Sequence, residues 1–136
     1  MIHKVQYYET DMMGVTHHAN YIHWMEEARI DFMDRIGFPY RRMEAEGILS
    51  PVKSLLARYL KPCTFGDEVE ITVSVKDFNG VVITISYDMR LDGEQIFTGS
   101  SEHVFLDREG KFVRMRKVMP AFCEAIEKCM ETTTST

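Results

Sequence analysis

The sequence predicts an α+β domain, built from one amphipathic helix near the N-terminus and a series of strands after it. Apolar residues recur at spacings of three and four between Tyr21 and Ile36, the period of a helix with one buried face. From residue 48 onward the period is two, and Asn79-Gly80 and Asp92-Gly93 separate alternating runs, a strong local signal for β-hairpins. A sheet with one apolar face would cover the apolar stripe of the helix, so we expect a curved antiparallel sheet wrapped around it.

Each element has its own local signal. Residues 2–8 are rich in β-branched and aromatic residues, which predicts a short leading strand. The long helix is expected to use Asn20 as its N-cap and to end near Gly37, with a short helix over 39–47 after it. The remaining pattern predicts a five-stranded meander and a last helix: strands over 48–61, 67–78, 81–91, 94–106 and 111–115, and a helix over 118–130.

Length and composition indicate one globular domain. The 136 residues are expected to form a single domain over 1–131, followed by a polar tail over 132–136. The formal net charge of -5 argues against a nucleic-acid binder, which would carry a broad basic excess. Cys63, Cys123 and Cys129 are scattered, as expected of reduced thiols in a cytosolic protein. No apolar run approaches the ~18 residues of a membrane span, and none resembles a secretory signal, so a cytoplasmic location is predicted.

The stretch ETDMMGVTHHANYIHWMEEAR, residues 9–29, changes character halfway along. Its first half is irregular and contains D-x-x-G at Asp11 to Gly14, and H-A-N-Y at His18 to Tyr21 leads into the helix. Further along the chain stands YLKPCTFGDEVEI, residues 59–71. In this order the motifs resemble those of the hotdog-fold acyl-CoA thioesterases, in the 4-hydroxybenzoyl-CoA thioesterase family and its Tol–Pal-associated subgroup. The resemblance covers the chain from about residue 3 to residue 120.

The resemblance implies a fold, an assembly and a reaction. It implies a hotdog fold in which two subunits join their sheets, with active sites at the subunit interface and dimers that pair into tetramers. The unpaired edges of the predicted sheet also favour partner strands, so we expect at least a homodimer. The implied reaction is hydrolysis of acyl-coenzyme A to a carboxylate and free coenzyme A. The family's catalytic aspartate corresponds to Asp11, and the residue whose backbone amide faces the thioester carbonyl corresponds to His18.

These residue types suit thioester hydrolysis. Asp11 can act as a general base or attack the thioester directly. The free amides at a helix N-terminus, supported by the helix dipole, can stabilise the charge that develops on the carbonyl oxygen. Gly14 would let the chain turn so that Asp11 faces the helix start, and Tyr21 is either a core residue or a substrate contact.

Coenzyme A carries phosphates, so a basic cluster is expected near the mouth of the pocket. The candidates are Arg58 with Lys61, and the RMRK run that contains Arg114 and Arg116. The chain departs from the 4-hydroxybenzoyl enzyme here, because Asn79-Gly80-Val81 stands where that enzyme carries a basic run after its third strand. The sequence therefore leaves the residues of the nucleotide site open.

The sequence is less compatible with a metal site or a dehydratase than with hydrolysis. A metal site could draw on acidic and histidine residues at 11, 17, 18, 23 and 27, but their spacing does not match H-E-x-x-H, so neither metal nor cofactor is predicted. The H-x-x-x-x-P-G string of hotdog dehydratases is not found in the sequence. A non-catalytic acyl-CoA-binding or scaffold protein with the same fold is the remaining alternative, and such a protein would be expected to lose the acid at Asp11.

Overall fold

The computed structural model describes the backbone of residues 1–134 and the side chains of residues 1–130. It contains five strands, four helices and a short 3₁₀ turn: β1 (Ile2–Lys4), the 3₁₀ turn (Tyr7–Glu9), α1 (Ala19–Arg35), α2 (Tyr40–Ala45), β2 (Val52–Tyr59), β3 (Glu68–Phe78), β4 (Val82–Leu91), β5 (Glu94–Val104), α3 (Met115–Val118) and α4 (Pro120–Thr134). The predicted α+β class is confirmed, and no helix in this part of the chain is long and apolar enough to cross a membrane.

The strands form one antiparallel sheet in the order β1-β3-β4-β5-β2. The hairpins β3–β4 and β4–β5 turn at Asn79-Gly80 and Asp92-Gly93, as predicted. The prediction of a continuous meander was wrong for β2, which pairs with β5 at the far edge instead of with β3. The connection from β2 to β3 contains Pro62 and is too long for a tight hairpin, so β2 is not held beside the strand that follows it.

The predicted strand over 111–115 was also wrong. Phe112 forms only an isolated bridge with Leu106, and the Val113 N–H donates to the Phe105 carbonyl at 2.8 Å. The pairing ends there because the chain turns into α3 at Met115, whose side chain is fully buried. The chain therefore buries the Met115 side chain at this point and forms no further strand pairs.

The helices largely match their sequence signals. α1 ends at Arg35, and Gly37 follows with a φ of +88°. The N-cap is His18, not Asn20 as predicted, because the Asn20 side chain donates hydrogen bonds to upstream carbonyls instead of accepting one from the helix. Of the predicted tail over 132–136, residues 132–134 continue α4, and residues 135–136 lie outside the described part of the chain.

The core lies between α1 and the inner face of the curved sheet. The buried stripe of α1 includes Tyr21, Trp24, Met25, Ala28 and Phe32, all within the set that the period predicts. Gly99 of β5 lets α1 approach the sheet closely, because it has no side chain. A Cβ at this position would lie 3.2 Å from the Met25 terminal methyl and 2.9 Å from the Phe97 ring. The start of α1 is thereby packed on β5, close to the loop that precedes the helix.

Candidate active site

The loop before α1 forms a tight turn that presents Asp11. The Asp11 N–H donates to the Val15 carbonyl at 2.8 Å, and the Gly14 N–H donates to the Asp11 carbonyl at 3.0 Å. The carboxylate oxygen Oδ1 accepts the N–H groups of Met13 at 2.8 Å and Val15 at 3.3 Å. Gly14 has a φ of +78°, which only glycine adopts without steric cost. The side chain of Asp11 is exposed, and its Oδ2 accepts no hydrogen bond from the described residues.

The turn is fastened to the segment that joins β2 to β3. The Thr16 N–H donates to the Cys63 carbonyl at 2.9 Å, and the Thr64 hydroxyl donates to the Gly14 carbonyl at 2.6 Å. Val15 and Thr64 also form an isolated β-bridge. The two motifs that carry the sequence resemblance, near residues 11–21 and 59–71, therefore pack against each other.

A short ladder of hydrogen bonds places Asp11 close to the start of α1. The His17 N–H donates to the Glu9 carbonyl at 2.8 Å, and the next rung pairs Thr10 with Thr16. Because an extended chain advances about 3.3 Å per residue, Asp11 lies roughly 7 Å along the ladder from the rung at His17. The helix begins directly after His18, so the carboxylate and the helix start share one end of the molecule.

Among the described residues, one amide at the start of α1 makes no hydrogen bond. The Ala19 N–H donates to His17 Nδ1 at 3.3 Å, and the Asn20 N–H donates to the His17 carbonyl at 3.0 Å. The His18 N–H makes no hydrogen bond within the part of the chain that the structure describes, and the residue is exposed. The Tyr59 hydroxyl donates to the His18 carbonyl at 2.9 Å and so holds the helix start against β2. A free amide backed by a helix dipole can stabilise a negatively charged oxygen.

A buried carboxylate that sequence reasoning missed lies behind the turn. Glu9 is 4% exposed, and its Oε1 accepts the Gln6 N–H at 2.8 Å and a bond from His3 Nε2 at 2.9 Å. Its Oε2 accepts the Trp24 indole N–H at 2.6 Å, and its backbone carbonyl accepts the Asn20 side-chain amide at 2.9 Å. Glu9 therefore joins β1, the turn and α1.

Hydrogen bonding decides the ionisation of Glu9. Burial by itself raises the pKa of this carboxyl group, but the bonds from Gln6, His3 and Trp24, together with the charge of His3, outweigh burial and lower the pKa. The group is thus held as a carboxylate with all its neighbours as donors. Nothing in the local sequence pattern marks Glu9 as buried, since the contacts that bury it come from three separate elements.

Tyr21 lies in the core and is 3% exposed. Its hydroxyl is 3.3 Å from Cys63 Sγ, and its ring stacks on Phe97 with centroids 5.2 Å apart. Burial, with the Cys63 contact, raises the pKa of Tyr21. In this chain Tyr21 therefore supports the wall behind the helix start and offers little surface to a ligand.

The two basic candidates lie at opposite ends of the sheet. Arg58 and Lys61 are exposed and flank Tyr59, which contacts His18, and Lys61 forms an ion pair with Glu94. They therefore share the end that holds Asp11.

Arg114 and Arg116 lie instead beside Asn79-Gly80-Val81, around a cavity of about 340 Å³. Arg116 pairs with Glu127 at 2.5 Å. Across the sheet, Tyr59 of β2 is level with Ile71 of β3, because pairing runs from one to the other through β5 and β4. The end of β3 at residue 78, near this cavity, lies roughly 20 Å along the strand from Ile71. The structure does not bring this cluster to Asp11 within one chain.

The sheet contains a buried polar chain that sequence reasoning also missed. The Tyr87 hydroxyl lies 2.8 Å from Ser101 Oγ, and Ser101 Oγ lies 2.7 Å from His103 Nε2. His103 is 1% exposed, and burial, together with the charge of Arg29, lowers its pKa to about 4. The available signal was the alternation itself, because Ser101 and His103 occupy inward-facing positions of β5 where apolar residues are the rule.

The histidines near the turn do not gather around an ion site. His17 and His18 stack with ring centroids 4.3 Å apart, on the surface of the protein. Within the described residues, no group of three or more histidine, cysteine, aspartate or glutamate side chains is placed to hold a metal ion. The polar groups at this end of the protein are a carboxylate, a free backbone amide and two exposed basic side chains, which together suit attack on an ester or thioester carbonyl.

The chain belongs to the Thioesterase-like superfamily, whose family model matches residues 5–126. The hotdog fold predicted from the sequence is confirmed by this match and by solved structures. The crystal structure of DHNA-CoA thioesterase from Staphylococcus aureus superimposes with a TM-score of 0.93 at 31% identity, covering 99% of this chain and 92% of that one.

Relatives by sequence carry related names. YneP of Bacillus subtilis (strain 168), named as a candidate acyl-CoA thioesterase, is 36% identical over 127 residues, which are 92% of each chain. YbgC of Escherichia coli O157:H7, named an acyl-CoA thioester hydrolase, is 26% identical over 83 residues, 61% of this chain and 62% of that protein. The prediction of an acyl-CoA thioesterase is therefore confirmed at the level of the family.

Proposed function

We propose that this protein hydrolyses the thioester of acyl-coenzyme A, giving a carboxylate and free coenzyme A. The observation that carries the proposal is the pairing of an exposed Asp11 carboxylate with an unpartnered His18 amide at the start of α1. One group can supply the nucleophile, and the other can stabilise the oxygen on which negative charge develops. The names of the relatives YneP and YbgC support the same reaction.

The geometry of Asp11 divides its two oxygens between two tasks. Oδ1 is held by the Met13 and Val15 amides and sets the orientation of the carboxylate. Oδ2 is free to take a proton from water or to attack the thioester carbonyl, so either route uses the same oxygen. The leaving group is a thiolate, a stable anion, and the reaction needs no strong general acid.

Arg58 and Lys61 are the better candidates for the coenzyme A phosphates within one chain. Both lie beside Tyr59, at the end of the sheet that holds the helix start. Arg114 and Arg116 would require a second subunit to bring them to the same site, because their cavity lies at the other end of β3. We therefore propose that basic side chains at the end of β2 bind the coenzyme A phosphates electrostatically.

We infer that the protein is at least a homodimer, joined through β2. In the part of the chain that the structure describes, this strand forms an edge of the sheet and has β5 as its one strand partner. It exposes apolar side chains along its length, among them Leu56 at 59% and Val52 at 49%. An exposed apolar edge strand favours pairing with another strand. Light scattering should give the mass of a dimer or tetramer, and a monomer at all concentrations would contradict the inference.

We also propose the subgroup within the family. The H-A-N-Y motif has its histidine at His18, which supports membership of the Tol–Pal-associated subgroup of the 4-hydroxybenzoyl-CoA thioesterase family. A cytoplasmic location is proposed as well.

The reaction is tested by thiol release from a panel of acyl-CoAs, from short aliphatic to aromatic, with the wild type and Asp11→Asn. The substitution keeps the size of the side chain and removes its charge. We expect turnover by the wild type and a loss of at least ~10²-fold in the variant, the lower end for a positioned acid–base group.

Asp107→Asn is the matched control. Asp107 Oδ1 accepts the N–H groups of Glu109 at 2.8 Å and Lys111 at 3.0 Å, the same pattern as at Asp11. This variant should keep wild-type turnover. Activity that survives Asp11→Asn would refute the assignment of Asp11, and binding of coenzyme A without any thiol release would favour the non-catalytic alternative.

A further inference from the structure

The Asn20 side chain joins the two backbone segments that meet at the start of α1. Its amide nitrogen Nδ2 donates to the Glu9 carbonyl at 2.9 Å, and a longer contact reaches the His17 carbonyl at 3.4 Å. The Glu9 carbonyl also accepts the His17 N–H at 2.8 Å, so it receives two donors. Asn20 therefore reinforces the rung nearest to α1 in the ladder that leads to the Asp11 turn.

The same residue orients the peptide group that carries the His18 N–H. The peptide between His17 and His18 is planar and trans, so its C=O and N–H point in opposite directions. Asn20 binds the carbonyl of this peptide twice, through its backbone N–H at 3.0 Å and through Nδ2 at 3.4 Å. Because the peptide plane is rigid, fixing the His17 carbonyl also fixes the direction of the His18 N–H.

Glu9 is a rigid anchor for these contacts. Its buried carboxylate accepts the Trp24 indole N–H at 2.6 Å and the Gln6 N–H at 2.8 Å. Trp24 lies four residues after Asn20, about 6 Å along α1 and on the same face of the helix. The helix therefore binds Glu9 at two points one turn apart. Trp24 holds the carboxylate in the core, and Asn20 holds the backbone carbonyl beside the site.

Helix formation does not account for an asparagine at this position. A capping asparagine accepts an N–H of the first helical turn through its side-chain oxygen. The contacts of Asn20 are made by Nδ2 and go to carbonyls that precede the helix. Asparagine is also a poorer helix former than alanine. What its side chain adds at the helix start is therefore the connection to the turn.

We propose that Asn20 is a positioning residue, which holds the His18 N–H at a fixed distance and orientation from the Asp11 carboxylate. The inference rests on the proposed function, because it assigns the residue that aligns the two groups of that site. Asn20 acts through the carbonyls of Glu9 and His17. Both aligned groups must act on one thioester carbonyl, and a misplacement of about 1 Å can slow such a reaction by about 10²-fold.

Asn20→Ala tests the assignment through kcat and KM separately. The Glu9 carbonyl keeps its bond from the His17 N–H and alanine favours the helix, so the variant should fold, with Tm lower by about 4 °C. We expect kcat for acyl-CoA hydrolysis to fall by roughly tenfold or more, because the reacting groups are misaligned. KM should change by less than about twofold, because the substrate contacts remain. An unchanged kcat, or an effect on KM alone, would overturn the proposal.

Gln6→Ala is the matched control. Gln6 Nε2 donates to the Lys4 carbonyl at 3.0 Å, so this variant also loses a bond from a side-chain amide to a backbone carbonyl. That bond lies in the segment before the turn and does not reach α1, so kcat should remain as in the wild type. An equal fall of kcat in Gln6→Ala and Asn20→Ala would mean that any lost bond in this region slows the enzyme, and would overturn the specific role of Asn20.

Backbone dynamics separate this inference from the proposed reaction. NMR relaxation gives the order parameter of the His18 N–H whether or not the protein is a hydrolase. We expect the ~0.85 of rigid backbone in the wild type and in Gln6→Ala, and a decrease toward the ~0.6 of flexible backbone in Asn20→Ala. A His18 amide that becomes mobile only in Asn20→Ala would support the positioning role even if no thiol were released. A rigid His18 amide in Asn20→Ala would overturn that role even if hydrolysis were observed.

Discussion

Two D-x-x-G turns in this chain have the same backbone geometry, one at Asp11–Gly14 and the other at Asp107–Gly110. In both, the glycine N–H donates to the aspartate carbonyl at 3.0 Å, and the aspartate N–H donates to the carbonyl four residues later at 2.8 Å. In both, Oδ1 accepts the amides two and four residues later. The glycine φ angles are +78° and +82°. The turn is thus a local structure that its own residues determine, and it carries no chemistry by itself.

The surroundings of the two turns differ. The first turn stands beside the start of α1, with the free His18 amide, and is fastened by Thr64 and by the buried Glu9. The second follows β5 and lies near the end of α2, where the Arg108 side chain packs 3.5 Å from the Cβ position of Gly47. The difference teaches that the same turn becomes a candidate catalytic element only through the residues that tertiary structure places next to it.

The largest effect on stability is expected from removing the buried support of the first turn. Glu9→Ala would leave the Trp24 indole N–H without an acceptor and would break a buried charged cluster, so we expect a loss of about 4 kcal/mol in the free energy of unfolding. Chemical denaturation measures it. Glu27→Ala, which removes an exposed carboxylate 3.6 Å from His3, should change stability by less than about 0.5 kcal/mol. Equal losses of stability in the two variants would show that the buried contacts of Glu9 contribute no more to the free energy of unfolding than the exposed contact of Glu27.

The second largest effect on stability is expected in mild acid. It comes from His103, which is buried in the sheet under α1 and belongs to neither turn. The pKa of His103 is lowered to about 4 in the folded protein, whereas an unfolded histidine titrates near 6.5. Between these values the unfolded chain binds the additional proton, so stability falls as the pH decreases from about 6.5 to about 4, by about 3 kcal/mol in total. Glu9, whose pKa is lowered, adds to the loss only below its unfolded value of 4.5.

Denaturation of the wild type and His103→Gln across this pH range checks the assignment. The variant has no titrating group at this position, so its stability should depend less on pH between 6.5 and 4. His17→Gln is the control for loss of a histidine, since His17 is exposed. A pH dependence in His103→Gln identical to that of the wild type would assign the acid sensitivity to another group.

The smallest effect on stability is expected from substituting the glycine of each turn, and these two variants compare the functions of the turns directly. Gly14→Ala and Gly110→Ala each force alanine into a left-handed conformation in open space, so each should cost about 1 kcal/mol. Only Gly14→Ala should also reduce thiol release, because the strain moves Asp11 relative to the His18 amide. Equal losses of activity in the two variants would mean that the turns are not functionally distinct.

Local signals predicted much of the fold. The apolar stripe from Tyr21 onward determined α1, and the period of two with Asn79-Gly80 and Asp92-Gly93 determined the hairpins of β3, β4 and β5. These elements depend on neighbours within a few residues, which is the range over which periodicity and turn chemistry act. The residues of the first turn and of the helix start were found in the same way, through short motifs.

The remaining features depend on contacts between residues distant in the sequence. The pairing of β2 with β5, the burial of Glu9 by His3 and Trp24, and the polar chain at Tyr87 each join segments whose approach no local pattern encodes. The sequence by itself therefore determined the helix, the hairpins and the Asp11 turn, because their hydrogen bonds are local. Tertiary structure alone decided which turn lies beside the start of α1 and which polar groups are buried beneath that helix, because those positions follow from packing the whole sheet around α1.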